Sequence, residues 1–306
     1  MDIKLLRSFK VSWIERGICF ASLALLAILP IIELIFRLLN SAIPDARSVI
    51  IHLFLVAGFF AAMHTTKFAE HISITAIQYV KNEKIKRILS VVCTLVCVFL
   101  LSILAWNSVS FIKFGLSGKP VGPLPQYLFA AAMPLGFIVM AVRFCLKLDT
   151  WKKRVLAFLA LLFGFFAALP AIAKIIWGFE PPEPFFSLVN FLYDAAFLIR
   201  VPAIVFLILT AFCGMPIFAA IGGIAMIILQ AAGREPDAAP IQIFSALTDM
   251  DIIAIPLFTL TGFFLSESKA GERLVRTFKA FFGWLPGGMI IATVIICAFF
   301  TSFTGA

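Results

Sequence analysis

Small hydroxylated residues and glycine end the apolar run that closes this chain. The stretch MIIATVIICAFF runs directly into Thr301, Ser302, Phe303, Thr304, Gly305 and Ala306. A membrane helix that ends in such residues, rather than in a charged loop, indicates backbone opened inside the bilayer, which is tolerated only where protein buries it or where it lines a cavity. Half-helix ends of this kind bind ions and anionic substrates in transporters. The alternative is an ordinary exit from the membrane, and the pattern alone leaves both open.

The elements that position this tip lie between Ile253 and Ala306. An apolar helix comes first, a basic amphipathic segment over 267–284 follows, and a Pro-Gly-Gly turn leads into a second apolar helix, predicted over 287–303. The mixture of basic and large apolar residues in the amphipathic segment is typical of a helix that lies at the membrane surface. The sequence therefore predicts a helix, a surface arm and a re-entrant half-helix, in that order.

The composition is that of a polytopic membrane protein. The 306 residues are 62% hydrophobic and 13% charged, whereas a soluble domain carries about 25% charged residues. The net charge of +9 comes from Lys and Arg clustered in short loops between apolar runs, which is the topology signal of membrane proteins. This placement of the basic residues argues against nucleic-acid binding.

Apolar runs of about 20 residues predict the spanning helices. They are expected over 17–39, 49–63, 88–112, 127–146, 155–173, 192–213, 216–231 and 241–265. Gly214-Met215-Pro216 divides a long uncharged run into two helices joined by a tight turn, because proline cannot sit comfortably in a helix interior. The expected fold is all-α: a polytopic membrane protein with about eight transmembrane helices, a re-entrant half-helix, and amphipathic interfacial helices, the first of them at the N-terminus.

Lys and Arg lie mostly on one side of the predicted membrane. If the N-terminus is cytoplasmic, the cytoplasmic segments are the N-terminal residues, 67–87, 143–154 and 269–279, and these hold the basic clusters. The opposite side holds few basic residues, among them Lys174 and Arg234, with acidic residues nearby. This positive-inside asymmetry predicts a multi-pass protein whose N-terminus is cytoplasmic.

The cysteines and histidines do not form a catalytic or metal-binding pattern in the sequence. Cys93 and Cys97 are four residues apart, but no histidine or carboxylate on that helix joins them, so they are interpreted as packing thiols. His52, His64 and His71 are scattered and have no paired carboxylate or cysteine.

Charged residues near the apolar runs are interpreted as structural. Glu33 and Arg37, four residues apart, predict an ion pair at a helix end. Asp249 and Asp251 are expected early in the eighth helix, at the interface, because a spacing of two residues places them on different faces. Neither GxxxxGK[ST] nor a GxGxxG following a strand is present, so ATP hydrolysis is not expected.

From about Val201 onward, the chain carries a series of short motifs. In order, they are Gly214-Met215-Pro216 before an Ala/Gly-rich helix, Ile255-Pro256-Leu257-Phe258 with Gly262, Gly271-Glu272-Arg273-Leu274-Val275, Leu285-Pro286-Gly287-Gly288, and Ala298-Phe299-Phe300 running to Thr304-Gly305. In this combination and order, the stretch resembles the large membrane subunit (M) of tripartite ATP-independent periplasmic (TRAP) transporters. The family typically has Ser-Gly-Ser-Ser-like residues at the tip, where this chain has Phe303-Thr304-Gly305-Ala306.

The first 150 residues resemble the small (Q) subunit of the same family. The matching features are four helices, His71-Ile72 after the second helix, and the segment LPQYLFAAAMPLGFIVMAVR. The resemblance implies a Q-like four-helix scaffold domain over 1–150, a linker with an extra transmembrane helix over 151–190, and the N-terminal part of an M-like transport domain over 191–306. The M part is expected to be truncated after its first hairpin helix.

The resemblance also implies a function and a set of partners. The chain would be a bacterial inner-membrane permease, not an enzyme, and would need no ATPase subunit. In this family, inward Na⁺ flow drives import of an organic acid, such as a C4-dicarboxylate or a sugar acid, delivered by a periplasmic binding protein. Hairpin-bearing helices carry the substrate past a fixed wall, which is an elevator mechanism, and the amphipathic arm lets them move.

On the same basis, the tip residues Thr301 to Ala306 are expected to form half of a cation and substrate site. Na⁺ would be held at Ser302, Thr304 and Gly305, and no other metal or cofactor is implied. The residues of the structural motif are Gly214, Pro216, Pro256, Gly262, Pro286, Gly287 and Gly288.

Two other classes of protein remain open at this point. One is an anion or ion permease that has hairpin tips but needs no binding protein. The other is a non-transporting membrane scaffold fragment or an integral membrane enzyme. An enzyme would need clustered catalytic groups at the membrane surface, and the sequence shows none.

Overall fold

The structure is a computed structural model that describes residues 9–68, 70–75, 79, 81–178, 182–284 and 287–304. The helices are α1 (Phe9–Leu38), α2 (Ala46–Phe68), α3 (Glu83–Ser110), α4 (Gln126–Ala130), α5 (Ala132–Lys147), α6 (Trp151–Ala167), α7 (Leu169–Trp177), α8 (Glu183–Phe212), α9 (Ile217–Ala231), α10 (Ala238–Leu247), α11 (Met250–Glu267), α12 (Ala270–Phe282) and α13 (Gly288–Thr304). The strands are β1 (Ser73–Thr75), β2 (Pro120–Val121), β3 (Leu124–Pro125) and β4 (Cys213–Pro216).

The all-α membrane architecture is confirmed, whereas the count of about eight spans is not. Among the described residues, five helical segments are long and apolar enough to cross a membrane, and α6 with α7, bent by 53°, can form a sixth. The five are Trp13–Leu38, Ala46–Phe68, Glu83–Gly115, Gln126–Lys147 and Glu183–Phe212. The apolar helices α9 and α10 are shorter, at 15 and 10 residues.

Helix α3 lies at the centre of the core. It packs against α5 and α6, and it also contacts α7, α8 and α9, while α1 packs mainly against α2. Cys97 and Leu101 of α3 are fully buried, as are Met133 of α5 and Met215 of β4. By contrast, α1 and α8 expose most of their apolar side chains, Leu198 to 81%, as expected of helices that face lipid.

Two predicted helices are broken by residues whose local chemistry explains the break. The predicted span 155–173 bends at Ala168, just before Pro170, whose ring and missing N–H disrupt a continuous helix. The predicted helix 241–265 is wrong as a single element, because α10 ends at Leu247. The side chain of Asp249 accepts a hydrogen bond from the backbone N–H of Asp251 at 3.1 Å and so caps α11.

The prediction of an amphipathic surface helix at the N-terminus is corrected in part. Residues 9–16 do not form a separate surface helix, since α1 runs without interruption from Phe9 to Leu38. Residues 1–8 of the predicted amphipathic segment lie outside the described part of the chain.

The described residues fall into two compact units, divided between Leu247 and Thr248. The first contains α1 to α10 and all four strands, and α3 forms its centre. The second contains α11, α12 and α13, in which α13 packs against both other helices.

Candidate functional site

A short antiparallel strand pair forms a joint between the beginning and the end of the first unit. Helix α8 stops at Phe212, and β4 then pairs with β1, so that Ser73 is opposite Pro216 and Thr75 opposite Cys213. The N–H of Ile217 extends the pairing by donating to the carbonyl of Ile72 at 3.0 Å. The predicted break at Gly214 to Pro216 is therefore confirmed, but it is an extended strand rather than a tight turn.

Glycine and proline have distinct physical roles in this joint. Gly214 has φ +96°, a left-handed conformation that glycine adopts without the steric cost of a side chain. Pro216 immediately precedes α9, where its missing N–H interrupts no helical hydrogen bond. These two residues let the chain leave one apolar helix and begin the next.

A polar cavity of about 180 Å³ opens beside the joint. The thiol of Cys93 lies in it and donates to the carbonyls of Thr210 and Cys213, at 3.5 and 3.6 Å. These carbonyls belong to the end of α8, where a helix leaves backbone acceptors without partners. Cys97 also lines the cavity, and both cysteines are buried from solvent. The cavity is also lined by His71, Ser73, Ser90, Thr94, Phe144, Lys147, Gly214 and Pro216.

His71 fastens β1 to the end of α2. Its Nε2 lies 2.6 Å from the hydroxyl of Thr66 and its Nδ1 3.3 Å from that of Thr65. Its ring also contacts Phe218 of α9, with centroids 4.9 Å apart. Burial, and secondarily the positive charge of Lys147, lower the pKa of His71 below its ordinary value of 6.5. Because each ring nitrogen lies within hydrogen-bonding distance of a threonine hydroxyl, we assign His71 a structural role.

A second polar cluster lies elsewhere in the first unit, at the end of α7. The ammonium of Lys174 contacts both carboxylate oxygens of Asp237, at 3.0 and 3.1 Å, and Glu235 at 3.2 Å. The sequence shows acidic residues on the same predicted side as Lys174 but does not indicate which of them pair with it. The signal available was the acidic loop GREPDAAP on the same side as Lys174.

A third cluster, also missed, involves Glu15 and Arg143. The guanidinium of Arg143, partly buried, donates to both carboxylate oxygens of the buried Glu15 at 2.6 and 2.8 Å, and it also donates to the carbonyl of Met63. The predicted pair of Glu33 and Arg37 is confirmed at 2.5 Å.

The predicted tip lies at the end of α13 in the second unit. Helix α13 is described from Gly288 to Thr304, which confirms the predicted helix 287–303 along its length and within one residue at its start. Thr301, Ser302, Phe303 and Thr304 are therefore helical, and Gly305 and Ala306 lie outside the described residues. The cation and substrate site at these residues stays a prediction.

The remaining motif residues also fall in the second unit. Pro256 and Gly262 lie within α11, and Gly262 is buried. Gly287 has φ +79° in the turn that precedes α13, and Gly288 is the first, buried residue of that helix. Pro286 lies outside the described residues.

The amphipathic arm is confirmed as helix α12. Arg273, Arg276 and Lys279 are exposed on it, and the rings of Phe278 and Phe282 stack with centroids 6.0 Å apart. Its location at the membrane surface stays a prediction.

Comparison with known families identifies two components within the chain. Residues 26–151 match the DctQ component of the tripartite ATP-independent periplasmic transporters, and residues 198–306 match the DctM component of the same transporters. The β1–β4 joint therefore pairs a segment of the DctQ match with a segment of the DctM match.

Individual relatives are also named as permease proteins of TRAP transporters. The isethionate TRAP transporter permease protein DctMQ of Oleidesulfovibrio alaskensis is 30% identical over 206 residues, which are 66% of this chain and 30% of that protein. The C4-dicarboxylate TRAP transporter large permease protein DctM of Rhodobacter capsulatus is 32% identical over 94 residues, 30% of this chain and 21% of that protein. The ectoine TRAP transporter large permease protein TeaC of Halomonas elongata is 26% identical over 65 residues, 21% of this chain and 15% of that protein.

The chain spans less than a third of the length of each of these relatives, so its M part is partial. The relatives are transport permeases rather than enzymes. Both components occur in order in one chain, and a relative named for both aligns over two thirds of it. The chain belongs to the tripartite ATP-independent periplasmic transporter family and joins a Q part to a partial M part.

Proposed function

We propose that the chain is the membrane permease part of a Na⁺-coupled transporter that imports an organic acid delivered by a periplasmic binding protein. It lies in the bacterial inner membrane with its N-terminus in the cytoplasm. Transport follows an elevator mechanism, in which the second unit carries substrate past the first. No ATPase subunit takes part.

The observation that carries this proposal is the division between Leu247 and Thr248. The first unit unites the DctQ-matching residues with the first helices of the DctM match through β1 and β4. A unit of this composition fits the stationary part of an elevator transporter, the fixed wall. The second unit contains the two helices that flank an amphipathic arm, α12, and suits the beginning of a moving domain.

A cation site of the proposed kind requires α13 to end at this tip in the complete permease. The last carbonyls of a helix lack intrahelical donors, and the negative end of the helix dipole favours a cation. With the hydroxyls of Ser302 and Thr304, these carbonyls supply the oxygen ligands that a hard cation prefers. The tip of the remaining M part would complete the site.

The substrate class is supported by the names of the relatives. Two of them are named for isethionate and for C4-dicarboxylates, both small organic anions. The proposed substrate is therefore a small organic acid, of which a C4-dicarboxylate is the first candidate and a sugar acid the second.

The test is uptake by the complete permease in proteoliposomes with its binding protein. Radiolabelled succinate, isethionate and gluconate are offered with an inward Na⁺ gradient, with choline in place of Na⁺, and without the binding protein. The proposal expects uptake of at least one acid that requires both Na⁺ and the binding protein. Uptake without the binding protein would instead favour an independent anion permease.

A pair of tryptophan variants tests the tip itself. Gly305→Trp is expected to abolish Na⁺-dependent uptake, because an indole at the tip blocks the open helix end. Gly17→Trp is the matched control, since nothing lies within 4 Å of that position on α1. Wild-type uptake by the Gly305 variant would contradict the proposed site.

A further inference from the structure

Lys174 lies in the stretch between the two family matches, which end at residue 151 and resume at 198. It belongs to α7, the short helix beyond the bend after α6. Its side chain is 8% exposed, although lysine is rarely buried unless it is paired. Helix α7 is bent by 53° from α6, and its residues 170–174 are buried, whereas few residues of α6 are.

The partners of Lys174 lie at the beginning of α10. Asp237, whose side chain is 4% exposed, directly precedes the helix, and its carbonyl accepts the first helical hydrogen bond, from the N–H of Ile241 at 2.9 Å. Glu235 accepts in the same way from the N–H of Ala238 at 2.9 Å. The ammonium of Lys174 therefore binds two carboxylates whose own backbones shape the first turn of α10.

Neighbouring contacts hold the same corner of the first unit together. The ammonium of Lys174 also lies 5.7 Å from the ring centroid of Phe114, in the π-helical turn that follows α3. Lys113 of that turn donates to the carbonyl of Ile175 on α7 at 2.7 Å. A β-carbon at Gly115 would lie 3.6 Å from the carboxylate of Asp237, so the turn approaches α10 closely.

Helix α10 is the last element of the first unit, and the chain passes from it into the second unit at Thr248. Its other end is packed as well, since Phe244 contacts the rings of His52 and Phe111 at 5.6 and 5.2 Å. In the proposed mechanism, the connection to the second unit needs a fixed end. The contacts of Lys174 supply the charged attachment of that helix.

We propose that Lys174 is a positioning residue that fixes the first turn of α10, and through it the fixed end of the connection to the second unit. This inference rests on the proposed transport function for its kinetic consequence but not for its structural one. The charged pair adds stability, and it also fixes the position of Asp237 at the start of α10, because the hydrogen bonds from Lys174 define where the carboxylate lies. An apolar replacement of both residues can restore packing without restoring that position.

The test compares three variants of the complete permease: Lys174→Met, the double variant Lys174→Met with Asp237→Leu, and Lys119→Met. Lys119 is an exposed lysine of the loop before β2 and is the matched control. Hydrogen–deuterium exchange of the amides in 238–243 is measured in lipid nanodiscs, together with thermal stability and the Vmax and KM of Na⁺-driven succinate uptake (isethionate if wild type prefers it).

Lys174→Met is expected to speed exchange in 238–243 by about tenfold or more, since that turn opens locally once its attachment is lost. Vmax should fall by about tenfold while KM stays within about twofold, because Lys174 does not touch substrate. The double variant should regain thermal stability yet keep the fast exchange and low Vmax. Lys119→Met should match wild type.

Two results would overturn the inference. One is exchange in 238–243 that is unchanged in Lys174→Met. The other is a double variant whose exchange and Vmax both return to wild type, which would make the pair a stabilising contact only. Wild-type protein that takes up no solute would count against the proposed transport function, while the exchange data would still decide the role of Lys174.

Discussion

Ser73 and Pro216 lie opposite each other in the β1–β4 pair, although one belongs to the DctQ match and the other to the DctM match. The backbone of each component thus supplies hydrogen-bonding groups that the other satisfies. Backbone groups without partners are costly in or near a bilayer. The pairing therefore explains how α8 can end in an extended strand, and why the DctQ match and the first part of the DctM match lie in one unit.

The left-handed conformation of Gly214 gives the first prediction. Gly214→Val forces a β-branched side chain into φ +96°, and the strain should lower the free energy of unfolding by about 1–3 kcal/mol. Thermal unfolding of the purified protein measures the change. Gly222→Ala is the control, because a β-carbon there meets only Leu104 at 3.8 Å. Equal stability of the two variants would contradict the strand geometry.

The packing of the linker helix α6 on α3 gives the second prediction. A β-carbon at Gly164 would lie 2.6 Å from Cβ of Ser102 and 2.7 Å from the carbonyl oxygen of Phe99. Gly164→Val should therefore destabilise the protein by about 1–3 kcal/mol through overpacking. The same change at Gly58, where nothing lies within 4 Å, should have a much smaller effect. Similar melting temperatures for both variants would show that α6 does not approach α3 this closely.

The ion pair of Glu15 and Arg143 gives the third prediction. Glu15→Gln leaves the partly buried Arg143 guanidinium without its carboxylate, which should cost about 1–3 kcal/mol. Glu33→Gln removes the partner of Arg37, whose side chain is 62% exposed, and should cost less than about 1 kcal/mol. Chemical denaturation measures both variants. The interpretation fails if the Glu33 variant is the less stable of the two.

The position of His71 gives the fourth prediction, which concerns pH. Burial, and then Lys147, lower the pKa of His71 in the folded state, so the folded protein favours the neutral imidazole. The stability that this group contributes is complete above its unfolded pKa of about 6.5 and is lost as pH falls toward the folded pKa.

Thermal stability should therefore decrease as the pH is lowered through 6.5, and His71→Gln should show a smaller decrease because it cannot titrate. Melting curves of both proteins across this range make the comparison. An identical pH dependence for the two proteins would mean that His71 is not responsible.

Local sequence signals predicted much of the fold. The break at Gly214 to Pro216 follows from one glycine and one proline, and the start of α13 follows from the Pro-Gly-Gly turn before its apolar run. The capping aspartate Asp249 was also visible in the sequence. The predicted helix 241–265 nevertheless includes it, and its spacing of two residues from Asp251 favours an interfacial position rather than a cap.

Contacts between distant residues could not be predicted from the sequence. The pairing of Ser73 with Pro216 depends on where two helices end in space, and the hydrophobic periodicity of the sequence does not indicate it. The same holds for Lys174 and Asp237, whose partnership needs the bend at Ala168. The tip at Ser302 to Ala306 remains a prediction, since its function depends on groups that the remaining M part would supply.

One cross-link tests most directly the claim that the Q and M parts share a fixed wall. Thr75→Cys is introduced into the complete permease opposite the native Cys213, its partner in the strand register, with the other cysteines replaced by serine. Oxidation should join the two residues, because directly paired strand residues lie within disulfide reach. Na⁺-driven uptake is then compared before oxidation, after oxidation and after reduction. The account predicts that the cross-linked permease transports at the uncross-linked rate, whereas uptake that disappears on oxidation and returns on reduction would contradict it.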